Sequence, residues 1–149
     1  MDDAGRIKTL LRDYGHAPGV ELGDCMEPSI RKDERFLVEK VDASAVKRGD
    51  VVVFKRGIKV YAHRVLGKAC CCGKIFFITK GDKEERVDYP VSERVFLGRV
   101  VGHSKSVSGL MGPAIYALLA VYYINKKVGF RVPLYSTLSS VVCRVMKGG

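Results

Sequence analysis

The sequence predicts a mainly β protein, a coiled antiparallel β assembly with a short N-terminal helix and a C-terminal helical pair. Three observations carry that expectation. Between residues 20 and 101 the chain breaks into short runs of β-type residues separated by Gly-Asp and other turn pairs. One short amphipathic stretch precedes them. After about Ser106 the composition shifts to an apolar, basic segment interrupted by two prolines.

Asp2 or Asp3 can cap a first helix that places Ile7, Leu10 and Leu11 on one face, and Gly15 can end it. The strand candidates are 20–22, 35–41, 51–55, 59–66, 74–80 and 95–101, with a turn at Arg56-Gly57 and another at Cys72-Gly73. Six short strands with little helix between them suggest a coiled sheet or partial barrel. Residues 106–125 carry no charge, which superficially meets the length of a membrane span. Pro113, however, suits the first turn of a helix, so the helix is expected to start there. Running 113–125, it would be only about 20 Å long at ~1.5 Å per residue, short for a bilayer. Pro133 repeats the device, with Leu134, Leu138, Val141, Val142 and Val145 near one face of a second helix and a loop at 126–132 between the two. The expected organisation is an N-terminal helix over 1–18, a central domain over 19–105 and a helical hairpin over 106–149. That hairpin is expected to lie against a membrane or a partner, with a transmembrane anchor and packing on the protein's own sheet as alternatives.

At 149 residues the chain is one domain's worth and can bury a core without disulfides or metal. The net charge of +10 is unevenly spread: residues 106–149 hold five basic residues and no acid. An apolar, acid-free basic tail suits an anionic membrane surface better than a phosphate track. No nucleic-acid recognition motif is present, so no nucleic acid is expected as a partner. The acidic, charged N-terminal stretch reads as neither signal peptide nor membrane span. The expectation is a membrane-associated protein, its side open, and otherwise a cytoplasmic one. Five cysteines, three of them adjacent, do not form a secreted disulfide framework, and Cys70-Cys71-Cys72 lacks the spacing of a structural zinc site. The triplet reads as a hairpin tip, with a redox or metal role as the alternative.

Three segments carry potential chemistry: Gly23-Asp24-Cys25-Met26-Glu27-Pro28-Ser29-Ile30, then Tyr61-Ala62-His63-Arg64-Val65, then Thr79-Lys80-Gly81-Asp82 running on to Val87-Asp88. Lys47-Arg48-Gly49-Asp50-Val51-Val52-Val53-Phe54 lies between the first two, and Leu97-Gly98-Arg99-Val100-Val101 follows the last. Singly, each piece has an ordinary structural reading: a small buried thiol, a strand histidine, Gly-Asp turns. Cysteine, histidine and aspartate can also supply a nucleophile, a base to take its proton and an acceptor to fix the base's tautomer.

As an ordered set, these landmarks resemble the S24/S26 peptidase group, nearest the endoplasmic-reticulum and archaeal type of signal peptidase. The resemblance spans 23–101 and implies a LexA/signal-peptidase-like fold. Carried over by position, it implies that Cys25 stands in the place of the nucleophilic serine and His63 in that of the general base. Asp88 would orient His63, Asp82 would be structural or share that role, and Met26 and Pro28 would shape the turn and the substrate-binding edge. The bacterial branch has a lysine at the position of His63, so the chain follows the histidine branch. The implied activity is endoproteolytic cleavage of a leader or signal segment, bound as an extended peptide or preprotein beside a sheet edge. No metal or organic cofactor is implied.

Two departures stand out. Cysteine replaces serine, which a Cys–His pair can accommodate, although an inward-pointing Asp24 would disfavour the thiolate. Gly23 stands where the resembling enzymes often place a serine that helps bind the oxyanion, leaving the Cys25 backbone N–H and one other donor; losing one such donor costs roughly 3–4 kcal/mol. The alternative reading is a catalytically silent peptidase-fold module for binding or regulation. A LexA-like self-cleaving regulator is disfavoured by the short stretch before Gly23.

Overall fold

The computed structural model describes residues 2–20, 23–106, 112–128, 135 and 137–141. Its first element, α1 (Asp3–Tyr14), forms as its capping residues dictate. The Asp2 carboxylate accepts from the Gly5 N–H at 2.8 Å, and Gly15, at φ 75°, turns its own N–H back to the Leu11 carbonyl. Ala4, Ile7 and Leu11 form the buried face.

Seven strands follow: β1 (His16–Val20), β2 (Arg35–Glu39), β3 (Val51–Arg56), β4 (Lys59–Cys71), β5 (Lys74–Lys80), β6 (Val91–Ser92) and β7 (Phe96–Val100). They form one antiparallel sheet in the order β1-β2-β7-β3-β4-β5-β6. The fold is mainly antiparallel β, as expected. β3 sits at the centre and is buried on both faces, as its unbroken Val-Val-Val-Phe run requires. Val51 and Val53 join a core with Ile7, Leu11, Met26, Ile30 and Val38. Val52 and Phe54 face the other way, into a core with Val46, Val65, Phe77 and Val91.

The differences from the sequence reading have local causes. The first strand is His16–Val20, so it starts inside the segment assigned to an N-terminal helix, and residues 21 and 22 of the expected 20–22 strand lie outside the described residues. Pro18 is tolerated there because β1 is an edge strand, pairing among the described residues with β2 alone. β4 continues past 66 to Cys71, its register shifting between Val65 and Gly67. The two-residue β6 escaped prediction because Val91-Ser92 has no run to signal it.

After the sheet comes α2 (Gly112–Val128), which takes Lys126 and Lys127 into its last turn, where a loop was expected. Ile115, Leu118 and Leu119 pack on Leu66, Phe76 and Ile78 of the protein's own sheet. Tyr116, Tyr123 and Ile124 of α2 remain exposed, Tyr123 with one edge against Phe76. Residues 135 and 137–141 are helical as well; Leu134, Val142 and Val145 of the expected second helix lie outside the described residues. Among the described residues, no helix is long and apolar enough to cross a membrane.

Candidate active site

Cys25 sits in a tight turn between β1 and β2, held by Glu27 N–H to Asp24 O at 3.1 Å and Ile30 N–H to Met26 O at 3.0 Å. Met26 and Ile30 anchor that turn by burying completely in the core. A second segment, 81–84, clamps it from outside: the Lys83 N–H donates to the Cys25 carbonyl at 2.8 Å. Gly81 permits that approach. A Cβ there would lie 2.8 Å from the Cys25 carbonyl oxygen and 3.1 Å from the Cys25 Cβ, so the glycine of Thr-Lys-Gly-Asp is a packing requirement.

His63, on β4, is 2% exposed. Its Nδ1 lies 2.6 Å from Asp88 Oδ2, and Thr79 Oγ1 donates to the same oxygen at 2.7 Å. Phe54 and Tyr61 meet the imidazole edge-on, each with ring centroids 5.8 Å away. Asp88 is held further by the Tyr135 hydroxyl, which donates to its carbonyl, and by Arg56, 3.5 Å from Oδ1. Burial works against a charged imidazole, but hydrogen bonding and charge from Asp88 and Cys25 outweigh it, pushing the His63 pKa up to about 10. The Cys25 thiol is thus an immediate neighbour of the ring. Nevertheless, His63 Nε2 has no hydrogen-bond partner of good geometry among the described residues.

Asp24 points away from this centre. It is exposed and paired with the Lys83 ammonium, which holds its carboxyl below the usual range. Asp82 is not against His63 either. Arg64 grips it bidentately, Nε to Oδ1 and Nη2 to Oδ2 both at 2.7 Å, and the Ser29 hydroxyl also donates to it. Burial opposes its charge, but Arg64 and Ser29 outweigh burial and hold its carboxyl below the usual range. Asp82 thus ties the 81–84 segment to β4. Met26, expected at the substrate-binding edge, is fully buried and shapes the turn from inside; Pro28 is exposed.

A cleft of about 630 Å³ opens beside Cys25. α1, β1, β2 and the β3–β4 hairpin all line it, through residues such as Ile7, Pro18, Phe36, Val60 and Tyr61. β1 and β4 are far apart in strand order yet share this cleft, so the sheet is strongly curved. Arg6 and Lys59 add positive charge to its lining. His63, Glu84 and Asp88 each offer a ligand atom within 4.8 Å of the others, a spacing that could also hold a metal ion.

Sequence reasoning missed several supports of this centre. Thr79 stood within a quoted motif without a role, and Arg56 was read only as a turn residue. Tyr135 gave no signal, since only the tertiary fold brings it to Asp88, 47 residues away.

The raised His63 pKa has a consequence for stability. Folding lifts it from about 6.5 to about 10, so between those values the folded state binds the extra proton. The stabilisation is fully present below 6.5 and fades as pH rises through 10. It should amount to a few kcal/mol, on the order of 1.4 per unit. Urea unfolding across this range should lose stability with rising pH in the wild type, and His63→Gln should flatten that loss. Parallel profiles for the two proteins would refute the assignment.

In comparisons with known proteins, no family model and no curated sequence matches the chain.

Proposed function

We propose that the protein is a signal-peptidase-like endopeptidase of the S24/S26 type, with Cys25 as nucleophile. One observation carries the reading: Cys25, which lines the cleft, neighbours His63 from a separate segment, and His63 is in turn paired with Asp88. A substrate peptide would lie extended in that cleft beside the edge strand β1, the usual way a β scaffold takes a strand. Burial is outweighed at His63, whose pKa is pushed up to about 10, so His63 holds the proton that Cys25 gives up as its sulfur attacks. Sulfur attacks the carbonyl, with the Cys25 backbone N–H supporting the oxyanion. His63 gives its proton to the leaving amine, and a thioester remains on Cys25. Neutral His63 then takes a proton from water, whose oxygen attacks the thioester and releases the thiol and the acid. Asp88 holds His63 throughout.

The substrate would be a leader or signal segment of a preprotein with small residues before the cut. Association with a membrane surface is supported by the exposed Tyr116, Tyr123 and Ile124 of α2 together with Lys126 and Lys127. The test is incubation with leader-type peptides, read by mass spectrometry. Cleavage at one bond, lost in Cys25→Ala, is the expected result. Peptides that bind but stay intact would instead identify a silent peptidase-fold binding module.

A further inference from the structure

Far from the cleft, at the tip of the β4–β5 hairpin, a second group of thiols takes an arrangement that a regular strand would forbid. Adjacent strand residues point to opposite faces, so Cys71 and Cys72 should diverge. Instead, their sulfurs are 3.8 Å apart. The cause is the two-residue turn Cys72-Gly73, flanked by the pair Cys71↔Lys74. Both turn residues have positive φ, 53° and 70°, the signature of the type I′ hairpin turn. That turn favours Asn or Gly at the position of Cys72, and hairpin formation alone does not call for a cysteine there.

We infer that Cys71 and Cys72 form a bidentate site for a soft, thiophilic metal ion of the Cu(I) class. Two metal–thiolate bonds of about 2.3 Å span about 4.6 Å when in line, the arrangement that two-coordinate Cu(I) favours, so the sulfurs have to open by less than an ångström from their 3.8 Å separation, which the exposed Cys72 side chain allows. Cys72 is exposed and Cys71 half-buried, which leaves the ion a direct approach. In the metal-free pair, hydrogen bonding to Cys72 is the main influence pushing the Cys71 thiol up. Metal binding replaces that shared proton. Two S–H bonds break, two metal–sulfur bonds form, both protons pass to solvent, and copper stays Cu(I). Zinc suits the tip less well, because it prefers four N or S donors and the pair supplies two. Soft thiolates select Cu(I) by ligand type. α2 closes one flank, with Tyr123 near enough that both thiols influence its hydroxyl.

The test is anaerobic titration of the full chain with Cu(I) against a chromophoric Cu(I) chelator. The wild type and Cys25→Ser should each retain one equivalent, which separates this site from the proposed nucleophile. Cys71→Ser and Cys72→Ser each remove a direct ligand, so each should lose more than the roughly 10–100-fold in affinity that an outer-shell change costs. Because the tip is at the surface, the serine variants should melt like the wild type. Failure of the wild type to hold Cu(I), or undiminished retention in both serine variants, would overturn the site. Displacement of bound Cu(I) by equimolar Zn(II) would overturn its metal class.

Discussion

Replacing His63 with alanine is expected to lower Cys25-dependent peptide cleavage by roughly 10²–10⁴-fold, the range that a positioned acid–base group supplies. The size follows from the enclosure of the imidazole. His63 is buried against the stacked Phe54 and Tyr61 rings and anchored by Asp88, a setting that holds its ring in place for proton transfer. Asp88→Asn should fall in the same range, because an amide can present its N–H to Nδ1 and favour the wrong tautomer. A readout that needs no substrate is available in the thiol itself. An ordinary cysteine is only a few per cent thiolate at neutral pH. A thiol whose proton His63 can take should therefore react with iodoacetamide about 10–30-fold faster than in His63→Ala. Equal labelling rates in the two proteins, measured at pH 7 on Cys25 by mass spectrometry, would remove the basis for nucleophilic catalysis.

Much of the arrangement was legible in the sequence, and the exceptions share a cause. α1 follows directly from Asp2, the spacing of Ala4, Ile7 and Leu11, and Gly15. β3 and β5 follow from their apolar runs. Local chemistry decides these elements, so local reading finds them. β1 begins where an N-terminal helix was expected, and its Pro18 is admitted by an edge position that the sequence does not mark. The environment of Asp88 shows the same limit. Its place beside His63 was implied by the resemblance to the S24/S26 group, which left open whether Asp82 shares that role. Asp82 meets Arg64, and Asp88 meets His63. Thr79, Arg56 and Tyr135 complete the Asp88 setting from β5, the end of β3 and the C-terminal helical region. Long-range polar contacts of this kind have no periodicity to read. The thiols of Cys71 and Cys72 were assigned to a hairpin tip, which is where they are, yet their convergence depends on turn handedness rather than composition.

Arg64→Met should destabilise the protein by about 2–4 kcal/mol, the cost of removing the buried partner of a partly buried ion pair. Arg64 is 3% exposed. Besides gripping Asp82, its Nη1 donates to the Gly49 carbonyl at 2.7 Å and to the His103 carbonyl at 2.8 Å. Methionine fills similar space but leaves Asp82 charged and without its guanidinium, and two carbonyls lose a donor. Gly49 sharpens the dependence: at φ 93°, its missing Cβ would fall 1.9 Å from the Lys105 carbonyl oxygen, so the 49–50 turn and the 103–105 segment are fitted closely around the arginine. Arg64→Met with Asp82→Leu should recover most of the loss, since an apolar pair of matched volume avoids the stranded charge. The single variant should also slow Cys25 labelling, because Asp82 adjoins Gly81 and Lys83, which seat the Cys25 carbonyl. Urea unfolding at pH 7 measures the stability effect. A loss under about 1 kcal/mol in Arg64→Met, within the range of exposed pairs, would mean that the guanidinium is not the buried tie between β4 and the turn that carries Cys25.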